Sequence, residues 1–261
     1  SSISKRVKVD IPIVGDVKKV LQQLNKRIKP ASRPEWIQRI DELKHEHPSL
    51  GLRQTDKLIA QYVIQQLSLA TEGKAIIVTG VGQHQMWAAL HYTFTEPCSL
   101  ISSGGSGTMG FEVPGAMGAQ VGRPDKLVWS IAGDGGFQMT MSELATMAEN
   151  NIPVKIAIMN NGVLGMVRQW QDMFYEQSFV ATTRTGNPDF VKLAEAFGIF
   201  GARVTDKTQV MPAIQQAMDY PGPALIDFVV NHEENVYPMI PSGMAVDALI
   251  EEPATKPQEV R

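Results

Sequence analysis

Cysteine is almost missing from this chain of 261 residues: Cys98 stands alone, which excludes an internal disulfide and a cysteine-built metal cluster and fits a reducing compartment. Long apolar runs are missing too. Nothing approaches the roughly 20 consecutive apolar residues that cross a bilayer, and Ser1 to Asp10 lacks the apolar centre of a secretory signal. There is no basic excess, since 24 Lys and Arg face 27 Asp and Glu, so nucleic acid and anionic membranes are poor candidate partners. What remains, 43% hydrophobic and 20% charged residues without repeats or low-complexity tracts, excludes disorder, collagen and coiled coil. The expectation is a soluble protein of the cytoplasm, or of an organelle lumen, that acts on small molecules.

Lys5-Arg6-Val7-Lys8-Val9-Asp10 alternates like a strand that should have neighbours upstream, and no Met precedes it, so the chain reads as part of something longer. Asp16 then caps a helix on which Val17, Val20, Leu21, Leu24 and Ile28 recur at helical spacing before Pro30. One strand and one helix close no core, so residues 1–29 read as the last unit of a preceding domain. Residues 30–49 form the candidate linker, with a short helical stretch from Glu35 to His45. In the main domain, residues 50–230, apolar bursts at 75–79, 99–102, 127–132, 154–159, 200–204 and 224–230 alternate with helical patterns. Most lack two-residue alternation, as strands covered on both faces do. The predicted fold is α/β, a doubly wound six-stranded parallel sheet flanked by helices. Thr140 and Glu143 read as a capping box for the helix after the third strand. Residues 231–261 read as a C-terminal tail that either drapes over the site or stays loose.

Parallel sheets bind ligands beyond the carboxyl ends of their strands, and three such turns are rich in glycine: Gly80-Val81-Gly82-Gln83-His84, Ser102 to Gly110, and Gly133-Asp134-Gly135-Gly136. Each offers backbone donors to a phosphate. Gly105-x-Gly107-x-x-Gly110 formally matches a dinucleotide fingerprint, but the acid that follows, Asp134, is wedged between glycines and does not easily address a ribose. One helix and one strand later comes Asn160-Asn161-Gly162, which the topology places at the same sheet edge as Asp134. A carboxylate, an amide oxygen and a backbone carbonyl suit a hard divalent cation such as Mg2+, which takes further ligands from a phosphate group. Asp134 is read here as an exposed turn residue whose loss leaves the fold intact.

Gly133-Asp134-Gly135 together with Asn160-Asn161 resembles the diphosphate-binding motif of thiamine diphosphate enzymes. Gly80 to Trp87, Gly107-Thr108-Met109-Gly110, Gln138-Met139-Thr140 and Gly165-Met166-Val167-Arg168-Gln169-Trp170 resemble the catalytic subunit of the acetohydroxyacid (acetolactate) synthase family. The resemblance covers nearly the whole chain. It implies that residues 1–29 end a middle, flavin-binding-type domain, that 50–230 form the thiamine diphosphate and Mg2+ domain, and that Tyr237-Pro238-Met239 belongs to a closing tail. It further implies metal ligation by Asp134, Asn161 and the Val163 carbonyl, and diphosphate contacts from Val81, Gly82, Gln83, His84, Gly133, Gly135 and Gly136. Met109 becomes the apolar post that bends the cofactor, the Gly107 carbonyl the acceptor for its amino group, and Gly165 and Met166 further contacts. Met166 and Trp170, four apart on one helix, face the substrate; Arg168 points elsewhere.

The implied activity is decarboxylation of pyruvate on thiamine diphosphate and ligation of the two-carbon hydroxyethyl unit to a second 2-oxoacid, pyruvate or 2-oxobutyrate, in branched-chain amino-acid biosynthesis. FAD, a homodimer or tetramer and a regulatory small subunit go with the full-length enzyme. Because the family's pyrimidine-binding domain is missing, the chain alone is expected to be inactive. Another thiamine diphosphate-dependent 2-oxoacid decarboxylase or carboligase, or a non-catalytic cofactor-binding module, remains as the alternative. Two residues depart from the family pattern: Glu112 stands where relatives carry glycine, and Gly115 where they carry alanine. Glu112 is expected to stabilise a helix N-terminus while placing negative charge near a site for anionic substrates.

Overall fold

The computed structural model describes residues 3–5, 7–47 and 51–253, and the chain divides into two compact units, Ser1–Pro48 and Ser49–Arg261. In the first unit, helix α1 (Val17–Asn25) is capped by the Asp16 carboxylate, which accepts from Lys19 N at 3.0 Å. Helix α2 (Pro34–Glu46) begins with proline at its first position, where the missing N–H has no helical partner to lose. Neither helix buries a residue, and Val17, Leu21, Trp36 and Ile37 are exposed. The strand predicted over residues 5–10 is not formed among the described residues there, 5 and 7–10, which are bends and irregular backbone; residue 6 lies outside the described residues. An alternating segment becomes a strand only when a neighbour supplies the ladder, and the unit contains no other strand among its described residues.

The second unit runs α3 (Ala60–Ala70), β1 (Ile76–Thr79), α4 (Gln83–His91), β2 (Leu100–Ser102), α5 (Glu112–Gly122) and β3 (Val128–Gly133). It continues with α6 (Asp134–Thr140), α7 (Glu143–Glu149), β4 (Lys155–Asn160), α8 (Gly165–Phe174), α9 (Phe190–Ala196), β5 (Phe200–Val204), α10 (Lys207–Asp219) and β6 (Ala224–Val229). All six strands are parallel in the order β2-β1-β3-β4-β6-β5. The apolar runs are the buried central strands, and the partly exposed β2 and β5 are the edges. Along β4, Ile156 and Ile158 pack into the core shared with α5, α7 and α9, while Ala157 and Met159 face the core shared with α3, α4 and α10. This two-faced burial is the doubly wound arrangement that the lack of alternation predicts. No helix among the described residues is long and apolar enough to cross a membrane.

The helix after β3 departs from expectation. It starts at Asp134 itself, and the Thr140 hydroxyl near its end donates to the Gly110 carbonyl at 2.9 Å instead of capping α7. No side chain caps α7. Phe137, on the same helix as Asp134, is fully buried and packs edge-on against Phe190 at 5.5 Å between ring centroids. Phe137→Ala should therefore cost about 3–5 kcal/mol of stability, read from urea unfolding followed by circular dichroism.

Candidate active site

The strand order reverses at β1, with β2 on one side of it and β3 on the other, and open parallel sheets bind ligands in the crevice at such a point. The turns after β1, β3 and β4 meet there in one cleft. Val81, Gly82, Gln83 and His84 line it from the first turn, Gly133, Asp134, Gly135 and Gly136 from the second, and Asn161 and Val163 from the third. Met109, Gly165 and Met166 complete the wall. Of the cofactor residues read from the sequence, Gly107 alone lies off this lining; it sits two residues before Met109 in a left-handed turn with φ +65°. Trp170 lines a neighbouring apolar cavity together with Met166, Tyr175 and Ser178, and its ring meets Phe174 at 5.5 Å. Arg168 stacks over the Phe179 ring, 5.1 Å from its centroid.

Register brings the two polar clusters together. Gly133 pairs with Met159, so Asp134 and Asn160-Asn161 leave adjacent strands at one edge. The next turn folds back through Gly162 at φ +67°, and Asn161 Oδ1 accepts from Val163 N at 3.1 Å. Asp134 is not the exposed turn residue expected from the sequence: it is buried, 2% exposed, as the first residue of α6. Its Oδ2 accepts from Asn187 Nδ2 at 2.7 Å and lies 3.7 Å from Arg184 Nε. Burial pushes the carboxyl pKa up, opposed by the Asn187 hydrogen bond and the Arg184 charge. Asn187 and Arg184 were not legible in the sequence.

The glycines allow close approach. A Cβ added at Gly133 would lie 3.0 Å from the His84 ring, and at Gly165 only 2.1 Å from Gln83 Oε1. His84 is buried, burial lowers its pKa to about 4, and its Nε2 has no partner, so a neutral imidazole with an unmet hydrogen-bonding atom lines the cleft. Gln83 differs. Its amide donates to Gln169 Oε1 at 2.9 Å and to the Glu234 carbonyl at 2.8 Å, which leaves Oε1 unpartnered. Gln169, fully buried, in turn accepts from Val236 N at 2.8 Å. The segment after β6 is thereby tied to α4 and α8, and the Glu234 carboxylate adds Arg53 and Asn231.

Glu112 is the first residue of α5, at the helix N-terminus as expected, and its carboxylate is fully buried with neither oxygen in a well-formed hydrogen bond. It fills the gap between two turns: Cβ atoms added at Gly80 and Gly136 would come within 2.3 and 2.5 Å of it. Burial pushes its pKa up to about 7, opposed by the backbone N–H groups of Glu112 and Gly110.

Residues 80–228 match the model of the thiamine pyrophosphate enzyme C-terminal TPP binding domain, more than half of the chain. The chain belongs to the thiamine pyrophosphate enzymes. This thiamine pyrophosphate domain is 44% identical to acetolactate synthase 1, chloroplastic, of Nicotiana tabacum, over 97% of this chain and 40% of that protein. It is 45% identical to the acetolactate synthase large subunit of Corynebacterium glutamicum, over 93% of this chain and 41% of that protein. With acetolactate synthase of Mycobacterium leprae the identity is 42%, covering 95% and 42% respectively. The chain thus spans about two fifths of the length of these relatives. A thiamine pyrophosphate domain must hold an anionic diphosphate, and the glycine turns and the unpartnered His84 Nε2 fit that demand.

Because the folded-state value of Glu112 lies above the ordinary 4.5, its ionisation destabilises the folded chain progressively as pH rises from about 4.5 to about 7. Glu112→Gln removes that penalty. Its gain in stability over the parent should be small near pH 4, grow through this window and level off above it at roughly 3 kcal/mol. Chemical denaturation of both proteins across pH checks the trend.

Proposed function

We propose that this chain is the cofactor- and metal-holding portion of an acetolactate synthase that joins the decarboxylation of pyruvate to addition onto a second 2-oxoacid, feeding branched-chain amino-acid synthesis. The observation that carries the reading is the convergence of Asp134 and the Asn160-Asn161 turn on one glycine-lined cleft, in a chain 42–45% identical to acetolactate synthases. Asp134, Asn161 Oδ1 and the Val163 carbonyl are the donors for Mg2+, a hard-oxygen set suited to a cation that also takes phosphate oxygens. Gly135, Gly136 and His84 are the anchors for the diphosphate.

Thiamine diphosphate supplies the electron sink that lets a 2-oxoacid lose carbon dioxide. Met109, whose Cε would lie 3.0 Å from a Cβ at Gly135, is the apolar support under the cofactor, and the Gly107 backbone carbonyl is assigned as the acceptor for its amino group. Met166 and Trp170 border the apolar cavity beside the cleft and are assigned to the second substrate. Among the described residues Asp134 is the one acid on the cleft lining, and its place is with the cation. The acid that addresses the aminopyrimidine ring is therefore assigned to the further portion that the longer relatives carry, as are FAD, the dimer or tetramer contacts and any small-subunit contact.

Two measurements test this. Acetolactate formation from pyruvate should be negligible with this chain alone and appear when the remaining portion of a matching relative is supplied; no acetolactate in either case overturns the assignment. Asp134→Asn, which keeps the shape of the buried side chain, should weaken Mg2+-dependent thiamine diphosphate binding at least about tenfold by calorimetry. Unchanged affinity removes Asp134 from the metal site.

A further inference from the structure

The segment after α8 returns to the cleft and grips both halves of the polar cluster. Leu164 N donates to the Thr182 carbonyl at 2.8 Å and Arg184 N to the Gly162 carbonyl at 2.8 Å, with Val163 and Thr183 paired antiparallel between them. Its backbone therefore runs along the Asn161–Leu164 turn while its side chains reach the other half. Asn187 Nδ2 donates to Asp134 Oδ2 at 2.7 Å and to Asn160 Oδ1 at 3.2 Å, and Asn187 Oδ1 accepts from Gln138 Nε2 at 2.9 Å and Arg184 Nε at 3.2 Å. Asn160 is fixed from behind by its own donation to Asp227 Oδ1 at 2.9 Å. One amide thus fixes the Asp134 carboxylate against the end of β4.

Arg184 supplies the charge. Its Nε lies 3.7 Å from Asp134 Oδ2, Asp134 is its one ion-pair partner among the described residues, and its guanidinium reaches to 3.5 Å from where a Cβ at Gly135 would stand. A guanidinium this close to a carboxylate opposes a divalent cation on the same carboxylate. The side chain is 26% exposed, so it has a route outward into solvent.

We propose that Arg184 and Asn187 form a resident latch on Asp134, in which Asn187 is a positioning residue that orients the carboxylate for the cation and Arg184 holds its charge until the cation displaces it. The inference rests on the reading of Asp134 as a divalent-cation ligand. It makes the two residues act in opposite directions, which a purely structural role for either does not.

Binding of Mn2+ to the chain, followed by electron paramagnetic resonance with and without thiamine diphosphate, separates the possibilities. Arg184→Gln should tighten Mn2+ binding about threefold, the scale of a partly exposed ion pair. Asn187→Ala should weaken it about tenfold, the scale of losing a hydrogen bond behind a metal ligand. If Asp134→Asn leaves Mn2+ affinity unchanged, the metal reading itself fails. If Asp134→Asn loses the ion but Arg184→Gln binds it no more tightly than the parent, the latch fails and the metal site stands. Weaker binding by Arg184→Gln only with thiamine diphosphate present also overturns the latch, because Arg184 then serves as a diphosphate ligand. Arg184→Gln replaces a partly exposed side chain, so it tests the latch even if Asn187→Ala does not fold.

Discussion

The parallel register between β3 and β4 is the constraint on which the site depends. Gly133 opposite Met159 sets Asp134 beside Asn160 at the edge where both strands end. A slip of one residue would turn the side chains of one strand to the other face and take the polar cluster apart. Burial holds the register: the β3 and β4 residues on both faces pack into the two cores, so a slip would exchange their apolar partners. A buried sheet thus positions the polar residues at its rim, as binding sites built on strand ends generally require.

Around that rim the structure trades side chains for backbone and space. Gly165 admits the Gln83 amide, and Gly80 and Gly136 the Glu112 carboxyl, at distances a Cβ could not share unless those side chains moved, while Gly133 meets the His84 ring in a tight contact. Glu112 is the costly member of this set, a buried acid with neither oxygen in a well-formed hydrogen bond. Its pKa of about 7 leaves it only partly ionised near neutrality, which limits the negative charge beside Gly80 and Gly136.

Much of this was readable from residues alone. All six strands lie within a residue or so of the apolar bursts, because central strands buried on both faces must be apolar throughout. The glycine turns and the Asp134 and Asn161 pair were readable because their chemistry sits in short contiguous motifs. Asn187 was not: its bond to Asp134 spans 53 residues, and an asparagine before proline reads locally as an ordinary turn. Gln169 was hidden for the same reason, a polar residue whose partners Gln83 and Val236 lie on other elements. Residues 5–10 and Thr140 misled in the opposite way, since local pattern supported a strand and a cap while tertiary structure offered no ladder to the first and a better acceptor, the Gly110 carbonyl, to the second.

The Gln83 amide ends with a chemical consequence. Both of its hydrogens are engaged, one by α8 through Gln169 and one by the backbone of the segment beyond β6, so toward a phosphoryl oxygen its side chain presents no proton. For that amide to greet an anion, it must release either the helix that carries Met166 and Trp170 or the strand of chain that wraps behind it. As it stands, Gln83 spends both N–H bonds on holding α8 and the segment beyond β6 to α4.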